Sequence, residues 1–158
     1  KLVNLIFPFL AIFILPTSSD MQGQLFEMSI EKGLDSETFA KTFVLSDIAS
    51  DLDSEFNHMQ WAGKEYIMEW ILDELKDKLK IGGEIYDHET MYWMSYVYRR
   101  WHYYTSETSK VIYKQATAKI MRVTYLPYHT MSVETAIDRL KILTKKNIKR
   151  AFRAPNDK

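Results

Sequence analysis

The stretch Asp87–Tyr104, DHETMYWMSYVYRRWHYY, constrains the fold more than any other part of the chain. Seven of its eighteen residues are aromatic, and neither Gly nor Pro interrupts it. Asp87 is a good N-cap, and Glu89 places negative charge in the first turn, where the helix dipole favours it. Met91, Met94, Val97 or Tyr98, Trp101 and Tyr104 recur at three- and four-residue spacing, one apolar stripe of an amphipathic helix. Tyr92, Tyr96, Arg99 and Tyr103 form a second stripe, aromatic around one cation. A helix with two such faces is touched on most sides. The expected fold is therefore all-α: a single compact bundle of six to eight helices around this central aromatic helix.

The rest of the chain supplies the surrounding helices. Residues 22–32 bury Leu25, Phe26 and Ile30 and stop at Gly33. Ser36 caps 37–45, which buries Phe39, Phe43 and Val44, and Ser46 caps 47–52. A fourth helix over 62–80 has Tyr66, Ile67, Trp70, Ile71, Leu75 and Leu79 on its core face. Glu65, Glu69, Asp73 and Asp77 lie along one side of it at four-residue spacing; such a ladder repels itself, so something basic is expected to face it. After the central helix come 107–115, then 117–126 closed by Pro127, then 133–146 capped by Ser132. No segment alternates with period two, so strands are not expected.

Residues 1–20 differ from everything after them. Residues 2–15 are apolar except for Asn4 and Pro8, and fourteen residues fall short of the ~20 that span a bilayer. Two readings compete: a secretory signal peptide, or upstream sequence ahead of a start at Met21. The expected organisation is an apolar leader over 1–20 outside the fold, a helical domain over 21–146, and a basic tail over 147–158. The second reading implies a cytoplasmic protein and the first a secreted one, with no membrane association unless 1–20 is a retained anchor.

Net charge is zero but segregated. Residues 21–90 hold 16 acidic and 6 basic side chains, and residues 91–158 hold 4 acidic and 14 basic. The halves either pack on each other or present a dipolar surface to a charged partner. There is no cysteine, which excludes disulfides, Cys-based zinc sites and thiol nucleophiles.

No chemical motif is specific. The histidines at 58, 88, 102 and 129 lack metal-ligand spacing, and the sets Asp53, Glu55, His58 and Asp87, His88, Glu89 read better as loop polarity and a helix start. Gly82-Gly83 has no nucleotide-loop context. No cofactor or metal is expected. Arg99, Arg100 and Tyr103 combine cation and aromatic as a stacking surface does, although on a central helix such residues more often serve cation–π packing and an ion pair to an acidic neighbour such as the Glu65–Asp77 ladder. Lys145, Lys146, Lys149 and Arg150 form the densest part of the basic end, either a solvated tail or a binding surface for an acidic protein or a phosphate backbone.

Arg122 and His129, with six residues between them, resemble the Arg-x4–6-His motif of the HEPN ribonucleases, which implies phosphate stabilisation by the Arg and proton transfer by the His. Pro127 falls between the two and is expected to break the helix that carries that pair in the family. A broader likeness runs through Trp61-Ala62-Gly63, Glu65-Tyr66-Ile67, Gly83-Glu84-Ile85-Tyr86-Asp87, Tyr98-Arg99-Arg100-Trp101, Glu107-Thr108-Ser109-Lys110, Ile112-Tyr113-Lys114 and Tyr128-His129-Thr130. These pieces resemble a group of small helical proteins from Gram-positive bacteria and their mobile elements. The resemblance covers about 21–143, implies an intracellular bacterial protein with a link to toxin–antitoxin loci, and transfers no catalytic residue.

Three functional expectations follow. The leading one is a non-enzymatic protein-interaction module, antitoxin-like or an accessory partner. The alternatives are a HEPN-like RNA-cleaving enzyme using Arg122 and His129, and sequence-independent nucleic-acid binding through the basic C-terminal end.

Overall fold

The computed structural model describes residues 18–54 and 62–153. Among them the fold is all-α. Helix α1 covers 18–31; then come α2 (Ser36–Val44), α3 (Asp47–Asp53), α4 (Lys64–Glu74), a 3-10 turn (Lys76–Lys78), α5 (His88–Thr105), α6 (Ser109–Gln115), α7 (Ala118–Tyr128) and α8 (Val133–Arg153). The only extended pairing among the described residues is an isolated bridge between Leu34 and Ile81.

The aromatic helix is the centre, as expected. Asp87 caps α5 by accepting the Thr90 N–H, and the helix packs against α6, α7 and α8. Met91, Met94, Val97 and Trp101 on it are fully buried. The stripe leaves the core at its last turn: Tyr104 is half exposed. A second focus of the core is aromatic. Phe26 of α1 meets Phe39 and Phe43 of α2 edge-on, with ring centroids 5.2 and 5.5 Å apart, the geometry the ring quadrupoles favour.

Side-chain caps recur at helix starts. Ser46 accepts from the Ala49 N–H, Thr108 from Val111 and Thr117 from Ile120. At α2 the cap is Asp35, not Ser36. The Asp35 carboxylate takes the Thr38 N–H, and the Ser36 hydroxyl instead accepts the Tyr86 N–H from the segment before α5. The same Asp35 accepts the Glu84 N–H, so one carboxylate caps α2 and ties down the connection into α5. Gly83 lies against it with φ +88°, and a Cβ there would collide with the Asp35 carboxylate. Partial burial alone would raise the Asp35 pKa, but the bonds from Thr38 and Glu84 outweigh it and lower it.

Four boundaries differ from expectation. Residues 18–20 belong to α1: Ser18 and Ser19 are buried, and Asp20 accepts hydrogen bonds from the Tyr92 hydroxyl and from Gln24. The exclusion of 1–20 from the fold is therefore corrected for its last three residues; 1–17 lie outside the described residues. Helix α4 is shorter than 62–80, because acidic Glu74 with no basic residue in the last turn opposes the helix dipole. Its apolar face is also narrower: Ile67, Met68 and Ile71 are buried while Tyr66 is 60% exposed. Helix α7 runs through Pro127 to Tyr128. Proline there removes one ladder donor in the final turn only, and the His129 N–H still reaches the Tyr125 carbonyl at 2.8 Å. Finally, α8 continues to Arg153, so the expected tail from 147 is helical over most of its length.

Candidate interaction surface

The residues singled out from the sequence separate into three groups. The first is buried. Arg99 is 2% exposed, so it is not a binding surface. Its Nε–H donates to Gln22 Oε1 at 2.9 Å, and Nη1 donates to the Leu52 carbonyl at 3.1 Å and to Asp53 at 2.8 Å. Asp53 also accepts the Ser109 N–H and hydroxyl, both at 2.7 Å. One buried ion pair thus joins α1, α3, α5 and α6. Asp53, drawn from the sequence as a metal ligand, is committed to this pair; Glu55 and His58 lie outside the described residues. Tyr103 sits one turn on from Arg99, and its hydroxyl and Arg99 Nη2 are buried without a hydrogen-bond partner among the described residues. Arg100 is half-buried and pairs with Glu134 at 2.8 Å. Neither arginine meets the Glu65–Asp77 ladder.

The second group is Arg122 and His129. Seven residues apart, they lie two turns along one face of α7, both exposed. Arg122 pairs with Glu84 and stacks over the Tyr86 ring, 4.6 Å from its centroid. The hydrogen bond that Arg122 donates to Glu84 raises the arginine's pKa further. His129 stacks on Tyr125 at 4.6 Å, and its Nδ1 lies 3.0 Å from the carbonyls of Tyr125 and Leu126. The helix that was expected to break therefore keeps the pair on one face, but the cation is already met by a carboxylate.

The third group is the end of α8. Its first half packs on α5 and α6, burying Ala136, Ile137 and Leu140. Lys141 anchors it by donating to Glu107 at 2.8 Å. Glu107 also accepts from Trp101 Nε1, the Thr105 hydroxyl and Gln115. Partial burial would raise the pKa of its carboxyl; the four donors, Lys141 foremost, hold it at about 2 instead. The last tie is Thr144, whose hydroxyl donates to the Gln115 carbonyl at 2.6 Å. Beyond it the core ends, and every residue from 145 to 150 is exposed. Lys145, Lys146, Lys149 and Arg150 make no ion pair with any described residue, and Ile148 is exposed among them.

The opposite sign is also unpaired. Glu65, Glu69, Asp73 and Asp77 are all exposed, and none forms an ion pair among the described residues. The basic residue expected to face this ladder is absent from the described part of the fold. The charged halves are joined instead through Asp47–Lys110, Asp53–Arg99 and Glu84–Arg122.

No group of three or more His, Asp or Glu able to hold a metal ion occurs among the described residues, and no described helix is long and apolar enough to cross a membrane. Compared with family models, curated proteins and solved structures, the chain matches none. The likeness to Gram-positive helical proteins thus rests on the sequence pieces alone. The four-residue spacing of the acidic ladder is visible in the sequence; that it meets no cation among the described residues is not.

Proposed function

We propose that the chain is a non-enzymatic protein-interaction module, an antitoxin-like or accessory partner in a bacterial cytoplasm, which engages an acidic partner through the end of α8. One observation carries this reading: from Lys145 to Arg150 the helix runs past the core of the described residues, leaving four cations with no ion pair among those residues and Ile148 exposed beside them. A pre-formed helix loses less entropy on binding than a disordered tail does. The buried roles of Arg99 and Asp53, and the engagement of Arg122 by Glu84, leave these residues less suited to chemistry than to packing.

The test is capture of partners from the native host by the wild-type chain and by Lys145→Glu/Lys149→Glu. The expected outcome is a discrete acidic protein retained at low salt, released at high salt and lost in the variant. Retention of RNA or DNA in its place, independent of sequence and with a steep salt dependence, would transfer the surface to a phosphate backbone. RNA cleavage abolished by His129→Ala in a folded variant would support the enzyme reading instead.

A further inference from the structure

We infer that the acidic partner of the α8 end is a second copy of this chain, bound through the α4 ladder. The inference rests on the reading of α8 as an interaction surface and names its partner.

Two features of the fold match each other. On α4, Glu65, Glu69 and Asp73 recur every fourth residue on an exposed row. On α8, Lys145 and Lys149 stand at the same spacing. Both rows have the same rise, about 6 Å per rung, so the carboxylates of one can meet the cations of the other in register. Rows of spacing four run at about 26° to a helix axis, and aligning two of them needs a crossing near 50°, the commonest way in which helices pack. Each row carries an exposed apolar neighbour: Tyr66 beside Glu65, 60% exposed, and Ile148 beside Lys149, 50% exposed. Association would cover both. Neither row is answered within the described part of its own molecule, where the large contacts of α8 are with α5 and α6. Like charges at this spacing repel along each helix, so pairing also relieves a strain that each row carries alone.

The contact is heterologous: the α8 end of one copy meets α4 of the next. Each copy therefore keeps one free row of each sign, and assembly continues until a ring closes or a filament grows. A dimer with two-fold symmetry needs both contacts at once and forms only where the geometry closes.

Sedimentation velocity of the full chain tests this over a range of concentrations and salt. At low salt the mass is expected to rise with concentration above 18.7 kDa. It should return to the monomer at about 1 M salt, where the screening length falls to roughly 3 Å. Association through exposed apolar segments would instead strengthen with salt, and that result overturns the proposal. Charge reversal tests the pairing itself. Lys145→Glu/Lys149→Glu and Glu65→Lys/Glu69→Lys change only exposed residues. Each variant alone is expected to stay monomeric, because both of its rows then carry one sign. Mixed in equal amounts the two are expected to associate again, since the acidic rows of the first variant find basic rows on the second. Variants that associate alone, or a mixture that stays monomeric, overturn the proposal. The wild-type salt series stands without them if either fails to fold. A wild-type chain that is monomeric at low salt, yet still captures an acidic host protein through α8, removes the second copy and leaves the interaction reading intact. Loss of both results removes both.

Discussion

Trp101 and Arg99 sit two residues apart on α5, and the core depends on them for different reasons. Trp101 is fully buried, and its Nε1–H donates to Glu107 at 2.7 Å. Trp101→Ala leaves a cavity and removes one of the four donors to Glu107, so a loss of about 3–5 kcal/mol is expected. Urea unfolding measures it, and a variant with the wild-type midpoint would mean that the indole is not in the core. Arg99 contributes differently. Removing one partner of a buried pair leaves the other uncompensated, which costs about 3–5 kcal/mol, whereas replacing both costs far less. Arg99→Met is therefore expected to lower stability strongly, and Arg99→Met with Asp53→Asn to recover part of that loss. If the double variant is weaker than the single one by the full cost of a second substitution, the two residues are not coupled.

At the scale of elements, the two chain-terminal helices respond oppositely to truncation. A chain beginning at Met21 loses buried Ser18 and Ser19 and the acceptor Asp20 for the Tyr92 hydroxyl. It should melt lower than one retaining 18–20, by several degrees for each ~1 kcal/mol lost. A chain ending at Thr144 loses 145–150, which are all exposed among the described residues, and should melt like the full chain. Equal melting of the first pair would show that the start of α1 packs on nothing. These boundaries also mark what was legible in the sequence. Caps at Ser46 and Asp87 act over three residues and are read locally. The stripe of α5 follows from its period. The α2 cap was misplaced by one residue because Asp35 and Ser36 are both good caps, and the choice lies with Glu84 and Tyr86 some fifty residues on. For Arg99 the sequence points to an ion pair with the α4 ladder and not to its partner Asp53, which lies 46 residues earlier. The exposure of Tyr66 on α4 departs from expectation for a related reason: periodicity shows which face is apolar, not how far the neighbouring helices extend to cover it.

At the scale of the whole molecule, the titrating groups confine maximal stability to a window of pH. Glu107, Glu134, Asp35 and Asp87 all have lowered folded pKa values. A lowered carboxyl pKa means that the unfolded chain binds protons more readily. Stability from these groups is complete above the unfolded value and falls as pH drops through the folded one. For Glu107 that interval runs from 4.5 to about 2. The tyrosines set the other edge. Burial raises the pKa of Tyr98, whose hydroxyl donates to the Ala116 carbonyl at 2.6 Å, and raises those of Tyr86, Tyr92, Tyr113 and Tyr125 as well. Their contribution is complete below the ordinary value of 10.0 and is lost as pH rises through the folded values. The unfolding free energy is therefore expected to be flat from about pH 5 to pH 9 and to fall on both sides, each linked proton giving a slope of about 1.4 kcal/mol per pH unit. Glu107→Gln isolates the acid edge. The variant should be weaker at neutral pH, because Lys141 loses its counter-charge, and its stability should fall less steeply between pH 4.5 and 2, since one titrating group is gone. Denaturant midpoints taken across that interval measure both effects. Parallel curves for the two proteins would show that Glu107 titrates alike in the folded and unfolded chain, and that the four donors around it do not hold its charge.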